Sequence, residues 1–219
     1  VQATNEEGNT PLILVAGDKD MDLNLVRLLL DNGADVNGDD TLYKRINLLH
    51  CAALAGNPRL AQMLVNRGAD VDVATGDGRG MTPLMLAHDE DLVRVLLKGK
   101  ANVNIADTLR GNTALHHAAD WGNLEKVKML IENGANVNVA NKDGMTPLMT
   151  AAMRDKEEVV ALLLENQADL HARDNNGKTA MDWAIEKRQL LSQVILSNFV
   201  KQRVRIPRSG RPCEDCSLL

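Results

Sequence analysis

The chain has 219 residues, a length that fits two ordinary domains or one elongated domain. Hydrophobic residues make up 44% of the chain but aromatic residues only 2%, so Ala, Leu, Val and Met must fill the core. This composition favours thin layers of closely packed helices over a compact globular enzyme. The net charge of −5 argues against nucleic acid as a partner, because phosphate binding needs a basic face.

Two short sequence elements recur along the chain and alternate in the same order through successive units. The first resembles Thr-Pro-Leu and is spaced by 37, 35, 31, 33 and 33 residues, beginning at Thr10, Asn47, Thr82, Thr113, Thr146 and Thr179. The second resembles Gly-Ala-Asp-Val-Asn and begins at Gly33, Gly68, Lys100, Gly134 and Gln167. Apolar runs of helical period lie between them, such as "LNLVRLLL" and "LEKVKMLI". Two elements in phase over five units indicate a repeat array.

Each element has a physical role in a helical unit. A Thr hydroxyl can cap the free N–H groups at a helix start, and the Pro after it suits the first helical position. Gly33, Gly68 and Gly134 are expected to end the second helix of their units in a left-handed conformation. One unit is therefore helix, turn, helix and projecting turn, and it must stack on its neighbours to cover its apolar face.

Departures from the pattern occur in the first three units. Residues 1–8 match residues 137–144, and the first residue is not Met, so we interpret the chain as a fragment that starts in the middle of a repeat. The second unit follows a long, irregular tip that contains Tyr43. The third unit is three residues shorter after Thr82 than its neighbours, which predicts a truncated first helix or turn. The resulting notch is expected to divide the concave surface in two and to leave Trp121 at the edge of the C-terminal half.

The stretch "TALHHAADWGNLEKVKMLIENGANVNVANKDG" of the fourth unit resembles the ankyrin repeat almost position by position. The resemblance covers about residues 1–198 and implies an all-α solenoid of stacked helix-turn-helix units with projecting β-turn-like tips. It further implies five repeats and a C-terminal capping unit within 1–198. Residues 199–219 follow as a basic, flexible tail.

The ankyrin resemblance also implies a function, since such stacks bind other proteins through their concave groove and turn tips. The first-helix positions that would contact a partner are Leu54, His117, Asp120, Trp121, Met153 and Arg154, and the tip positions include Tyr43 and Arg110. Trp121 is the strongest candidate, because exposed Trp is a common interface hot spot. The alternative is that Trp121 packs against its neighbours and stiffens the stack.

No residues of the repeats suggest catalysis. His50 and His116 occupy the fourth place of the Thr-Pro-Leu element, where the family uses the ring for structural hydrogen bonds. The His116-His117 pair lacks the H-x-x-x-H spacing of a zinc hydrolase, and no phosphate-binding Gly loop occurs. We therefore predict a non-catalytic, monomeric scaffold or adaptor that binds a partner protein, without cofactor, metal or nucleic acid.

Three interpretations of the tail are open. "CSLL" resembles a prenylation box at Cys216, with Cys213 as a palmitoylation site and upstream basic residues that would contact a membrane surface. Alternatively, Cys213 and Cys216 are half of a zinc site, and the array is the targeting part of a larger zinc-domain protein, such as a ubiquitin ligase or a FYVE-type trafficking protein. The third interpretation is a plain flexible tail. The three cysteines do not form a disulfide framework, so a cytoplasmic or nuclear location is expected.

Overall fold

The computed structural model describes residues 4–5, 10–16, 22–38 and 46–205. Tyr43, Cys213 and Cys216 lie outside these residues. The described helices pair into six units. Units one to three contain α1 (Pro11–Ala16) and α2 (Leu23–Asp31), α3 (Leu48–Ala55) and α4 (Pro58–Asn66), and α5 (Pro83–Leu86) and α6 (Glu90–Lys98). Units four to six contain α7 (Ala114–Trp121) and α8 (Leu124–Glu132), α9 (Pro147–Met153) and α10 (Glu157–Glu165), and α11 (Ala180–Glu186) and α12 (Leu190–Arg205).

The helix ends follow the two sequence elements. At the starts, the Asn47 side chain accepts from the backbone N–H groups of Leu49 and His50, and the Thr82 and Thr146 hydroxyls accept from the third residue of their helices. At the ends, Gly33, Gly68 and Gly134 have φ of 84°, 82° and 84°, as predicted. Lys100 and Gln167 adopt the same left-handed conformation without being glycine, with φ of 67° and 66°.

The core is one continuous layer that runs through the stack. Small residues at the middle of the first helices are fully buried, which lets successive units approach closely. They are Ala52, Ala53, Ala118, Ala119, Ala151 and Ala152. Leucines of the second helices, such as Leu64, Leu96 and Leu130, close the layer from the other side. This arrangement confirms the all-α solenoid. Among the described helices, none is long and apolar enough to cross a membrane.

A row of side-chain hydrogen bonds joins the projecting turns of successive units. Asn37, Asp72, Asn104 and Asn138 each accept from a backbone N–H one unit further along, at 2.7–3.0 Å, from Asp70, Asn102, Asn136 and Asp169 respectively. Backbone bonds between neighbouring tips, such as Lys142 N–H to Arg110 O at 2.8 Å, add to this row. We call this feature the tip ladder.

The third unit has the predicted truncation, and it falls in the first helix. Helix α5 has four residues, whereas α7 of the fourth unit has eight. The connection to α6 follows at once, with Asp89 accepting from the Leu92 N–H at the start of α6. The apolar residues Leu84, Met85 and Ala87 are nevertheless buried, so the short helix still contributes to the core.

Candidate partner-binding groove

A groove of about 410 Å³ lies on the side of the first helices, across units three to five. Its apolar lining comes from Met81 and Leu86 of unit three, Leu109 and Trp121 of unit four, and Met145 and Met153 of unit five. Three arginines of the same lining, Arg79, Arg110 and Arg154, carry positive charge. The repeat produces this grouping, because residues 31 positions apart in units three and four, or 33 apart in units four and five, occupy the same place.

The groove brings together most of the residues that the sequence singles out. His117, Asp120 and Trp121 of unit four line it with Arg110, Met153 and Arg154. Leu54 lies on α3 outside this lining, with 60% of its surface exposed. A role in partner binding stays a prediction for all of them.

The expectation that the notch leaves Trp121 at the edge of a divided groove is wrong. The lining extends from Leu86 before Trp121 to Met153 after it, so Trp121 lies within the groove. The physical reason is that the Trp121 ring itself packs towards the shortened unit. It contacts the His88 ring at 3.9 Å between centroids, and the His117 ring lies 5.7 Å away. Trp121 is therefore half-buried, and it both packs against neighbours and lines the groove.

A buried carboxylate fixes one wall of the groove. Asp107 Oδ1 accepts from the backbone N–H groups of Arg110 and Gly111 at 2.7 and 2.9 Å, and Asp107 Oδ2 accepts from His117 Nε2 at 3.1 Å. Burial lowers the pKa of His117, and the nearby Asp107 carboxylate opposes this shift only in part. The neutral ring therefore orients the wall as a hydrogen-bond donor.

The arginines of the groove differ in how far they are neutralised. Arg79 Nε bonds to Asp77 Oδ2 at 2.9 Å, and Arg154 Nε bonds to Asp120 Oδ1 at 2.7 Å. Both guanidinium groups are largely exposed. Arg110 forms none of the ion pairs found among the described residues. The lining therefore combines three arginines with the carboxylates of Asp107 and Asp120, and Arg110 is the arginine that no ion pair among the described residues neutralises.

The structural role expected for His50 and His116 is confirmed. Nδ1 of each ring accepts a backbone N–H at the start of its own helix, at 3.2 Å. His50 Nε2 donates to the Met81 carbonyl at 3.0 Å, and His116 Nε2 donates to the Met145 carbonyl at 3.0 Å. Burial lowers the pKa of His116 to about 4, so the ring stays neutral and joins adjacent tips.

Sequence reasoning missed Lys126, which lies beneath Trp121. Its side chain is fully buried, and Nζ lies 5.0 Å from the centre of the Trp121 ring. The sequence does contain a signal for it, since the lysine stands at a position where other units have an apolar residue, namely Leu60, Leu92 and Val159. Within the described ranges, no three His, Cys, Asp or Glu side chains lie close enough together to hold a metal ion.

Comparison with known proteins agrees with this architecture. A sequence profile described as "Ankyrin repeats (3 copies)" matches residues 1–75, 49–141 and 133–203. The ankyrin repeat protein FPV223 of Fowlpox virus (strain NVSL) is 36% identical over 129 residues, which cover 58% of this chain and 87% of FPV223.

Two longer relatives match over only a small part of their own length. Human neurogenic locus notch homolog protein 1 is 36% identical over 152 residues, 68% of this chain but 6% of that protein. "Probable E3 ubiquitin-protein ligase XBOS31" of Oryza sativa subsp. japonica is 41% identical over 95 residues, 42% of this chain and 21% of that protein. The repeat profile and the viral relative together place the chain in the ankyrin repeat family.

Proposed function

We propose that this chain is a non-catalytic interaction module that binds a segment of another protein in the groove of units three to five. Ankyrin repeats in general mediate protein–protein interaction. The observation that carries the proposal is the combination of an apolar lining, with Trp121 near its middle, and a cluster of arginines around it. Aromatic and Arg side chains in a partly desolvated recess are the usual anchors of an interface.

The chemistry of the groove selects for a partner segment that combines apolar and acidic residues. Met81, Met145 and Met153 are unbranched and adapt to different apolar side chains. Arg110 takes part in no ion pair among the described residues, and Arg79 and Arg154 use only Nε in theirs. A carboxylate of the partner can therefore form a two-point contact with any of these groups.

Selection from a random-peptide library on the full chain tests this proposal. Selected peptides are expected to be enriched in acidic and large apolar residues. Trp121→Ala should weaken their binding by about 2 kcal/mol or more, roughly thirtyfold in Kd, because it removes the central anchor. Arg110→Ala should weaken acidic peptides specifically.

Arg94→Ala is the matched control, since Arg94 is an exposed arginine on α6 outside the groove lining. Its binding should equal that of the unchanged chain. Peptides that bind Trp121→Ala with unchanged affinity, or that carry no acidic bias, would show that the groove is not the binding site.

A second candidate function is that the array targets a larger enzyme to its substrate. The match to a protein named as an E3 ubiquitin-protein ligase supports it, because that protein combines such repeats with additional sequence. Sequencing the complete reading frame tests it directly. A flanking zinc domain would support the targeting role, and a reading frame without any further domain would exclude it.

A further inference from the structure

A buried lysine of the fourth unit contacts the end of the shortened first helix of the third unit. Lys126 lies on α8, and its side chain has no exposed surface. Its Nζ donates to the Ala87 carbonyl at 2.7 Å and to the Met85 carbonyl at 3.2 Å. Both acceptors lie at the end of α5, in the unit before the lysine.

The truncation explains why these carbonyls need a donor from outside their own helix. In the fourth unit the matching carbonyl, that of Ala118, accepts from the backbone N–H groups of Gly122 and Asn123 at 3.0 Å each. In the third unit α5 ends after one turn, and no backbone N–H of the described residues donates to the Ala87 carbonyl. Lys126 supplies the missing donor, since a buried carbonyl without one would be costly.

The same amine connects the core to the groove. Its Nζ lies 5.0 Å from the centre of the Trp121 ring, a distance typical of a cation–π contact. An ammonium has three N–H donors, of which two are used by the carbonyls. The third is left for the indole. Trp121 in turn lines the groove and packs on His88.

No carboxylate neutralises Lys126 among the ion pairs of the described residues. Of the two acids of the groove wall, Asp120 is paired with Arg154, and Asp107 accepts hydrogen bonds from His117 and from two backbone N–H groups. The other charged or titratable groups on the surrounding elements are His88 and Asp89 before α6, Glu90, Asp91, Arg94 and Lys98 on α6, His116 on α7, Glu125, Lys128 and Glu132 on α8, and Glu157, Glu158 and Glu165 on α10. Burial lowers the pKa of Lys126 from 10.5 to about 7, and burial together with the lysine charge lowers the pKa of His88.

We propose that Lys126 is a positioning residue of the groove, whose protonation state sets the placement of the Trp121 ring and thereby the affinity for a partner. The charged amine holds the indole over itself. Loss of the proton to solvent removes the cation–π attraction while the neutral amine keeps its two carbonyl bonds, so the ring is released and the fold is retained. This regulation rests on the proposed function of the groove, but the movement of the ring can be tested without any partner.

Fluorescence of Trp121 measures the ring directly. The chain has two Trp residues, so Trp183→Phe leaves Trp121 as the only one. In this background the emission should change in a transition centred near pH 7. The transition should be absent in Lys126→Leu, which carries the residue found at the same place in units two and three. It should persist in His88→Gln and His117→Gln, whose histidines have lowered pKa values and titrate at more acidic pH.

A transition that survives in Lys126→Leu, or one that disappears in either histidine variant, would overturn the proposal. A second measurement covers the case in which Lys126→Leu does not fold. Carbon-13 NMR of the lysine Cε atoms in the unchanged chain should show one lysine that titrates near pH 7. If every lysine titrates near 10.5, the proposal is wrong.

Peptides selected on the groove provide the functional readout. Their affinity should fall by about fivefold as the pH rises through neutrality, the size of a partly desolvated cation–π contact. Lys126→Leu should show no such fall. A pH-independent affinity in the unchanged chain refutes the regulation. A groove that binds no peptide refutes the proposed function instead, and the fluorescence titration still decides the role of Lys126.

Discussion

The third and fourth units answer the same packing problem in different ways. The fourth unit has a first helix of eight residues and satisfies its helix end with its own backbone. The third unit has a helix of four residues and depends on a lysine from its neighbour. The comparison teaches that a repeat can lose almost a full turn if an adjacent unit supplies the lost hydrogen-bond donor. The third unit therefore depends on its neighbour for stability more than the fourth unit does.

The largest expected effect comes from removing the same core leucine in each unit. Leu84 and Leu115 occupy matching positions on α5 and α7, and both are buried. Leu115→Ala should lower the free energy of unfolding by about 3–4 kcal/mol through lost burial and a cavity. Leu84→Ala should cost about 2 kcal/mol, because a one-turn helix can shift to fill the space. Urea unfolding measures the free energy of unfolding of both variants. Equal losses would contradict the view that the third unit contributes less stability of its own than the fourth.

The pH dependence of stability tests the dependence on Lys126. Because its pKa is about 7 in the folded chain and 10.5 when unfolded, the unfolded chain binds more protons between these values. The free energy of unfolding should therefore rise with pH in that window, by about 2–3 kcal/mol up to about pH 9. Lys126→Leu should lack this gain. Urea unfolding of both chains at several pH values gives the comparison, and parallel curves would contradict it.

Hydrogen exchange sharpens the comparison at the level of single amides. Solenoid stability is roughly a sum of unit and neighbour terms, so a less autonomous unit should open locally. Amides of residues 86–92 should exchange at least about tenfold faster than amides of residues 115–124 in the fourth unit, a difference of ~1.4 kcal/mol in opening free energy. Equal protection of both segments would show that the lysine fully restores the short helix.

The smallest effect concerns the residue that follows the second helix. Lys100 of the third unit has φ of 67°, where the fourth unit has Gly134 with φ of 84°. Lys100→Gly should stabilise the chain by about 0.5–1 kcal/mol, and Gly134→Lys should destabilise it by a similar amount. Thermal unfolding of the two variants measures the pair. A loss of stability in Lys100→Gly would mean that the lysine side chain makes a contact worth more than the strain.

Most of the fold could be predicted from the sequence because the repeat period fixes it. Caps such as Thr82 and turn glycines such as Gly134 act within a few residues, so their roles are visible locally. The period also placed Trp121, Met153 and Arg154 on one surface. Lys126 could not be placed in this way, because its partners lie 39 and 41 residues away in a unit that breaks the period. The packing of Trp121 against His88 depends on the same irregularity.

The tip ladder is expected to make the row of projecting turns resist stretching more than the helices behind it. Short hydrogen bonds link the projecting turns at 2.7–3.0 Å, whereas the helices behind them contact mainly through apolar packing, with single polar bonds such as the one from Lys126 Nζ to the Ala87 carbonyl. Directional bonds resist extension, and apolar surfaces slide more easily. A pulling force along the stack is therefore expected to change the curvature of the array, with the tip ladder keeping its length, before the array becomes longer. The curvature of the array, and with it the width of the groove, would then be the first property to respond to tension.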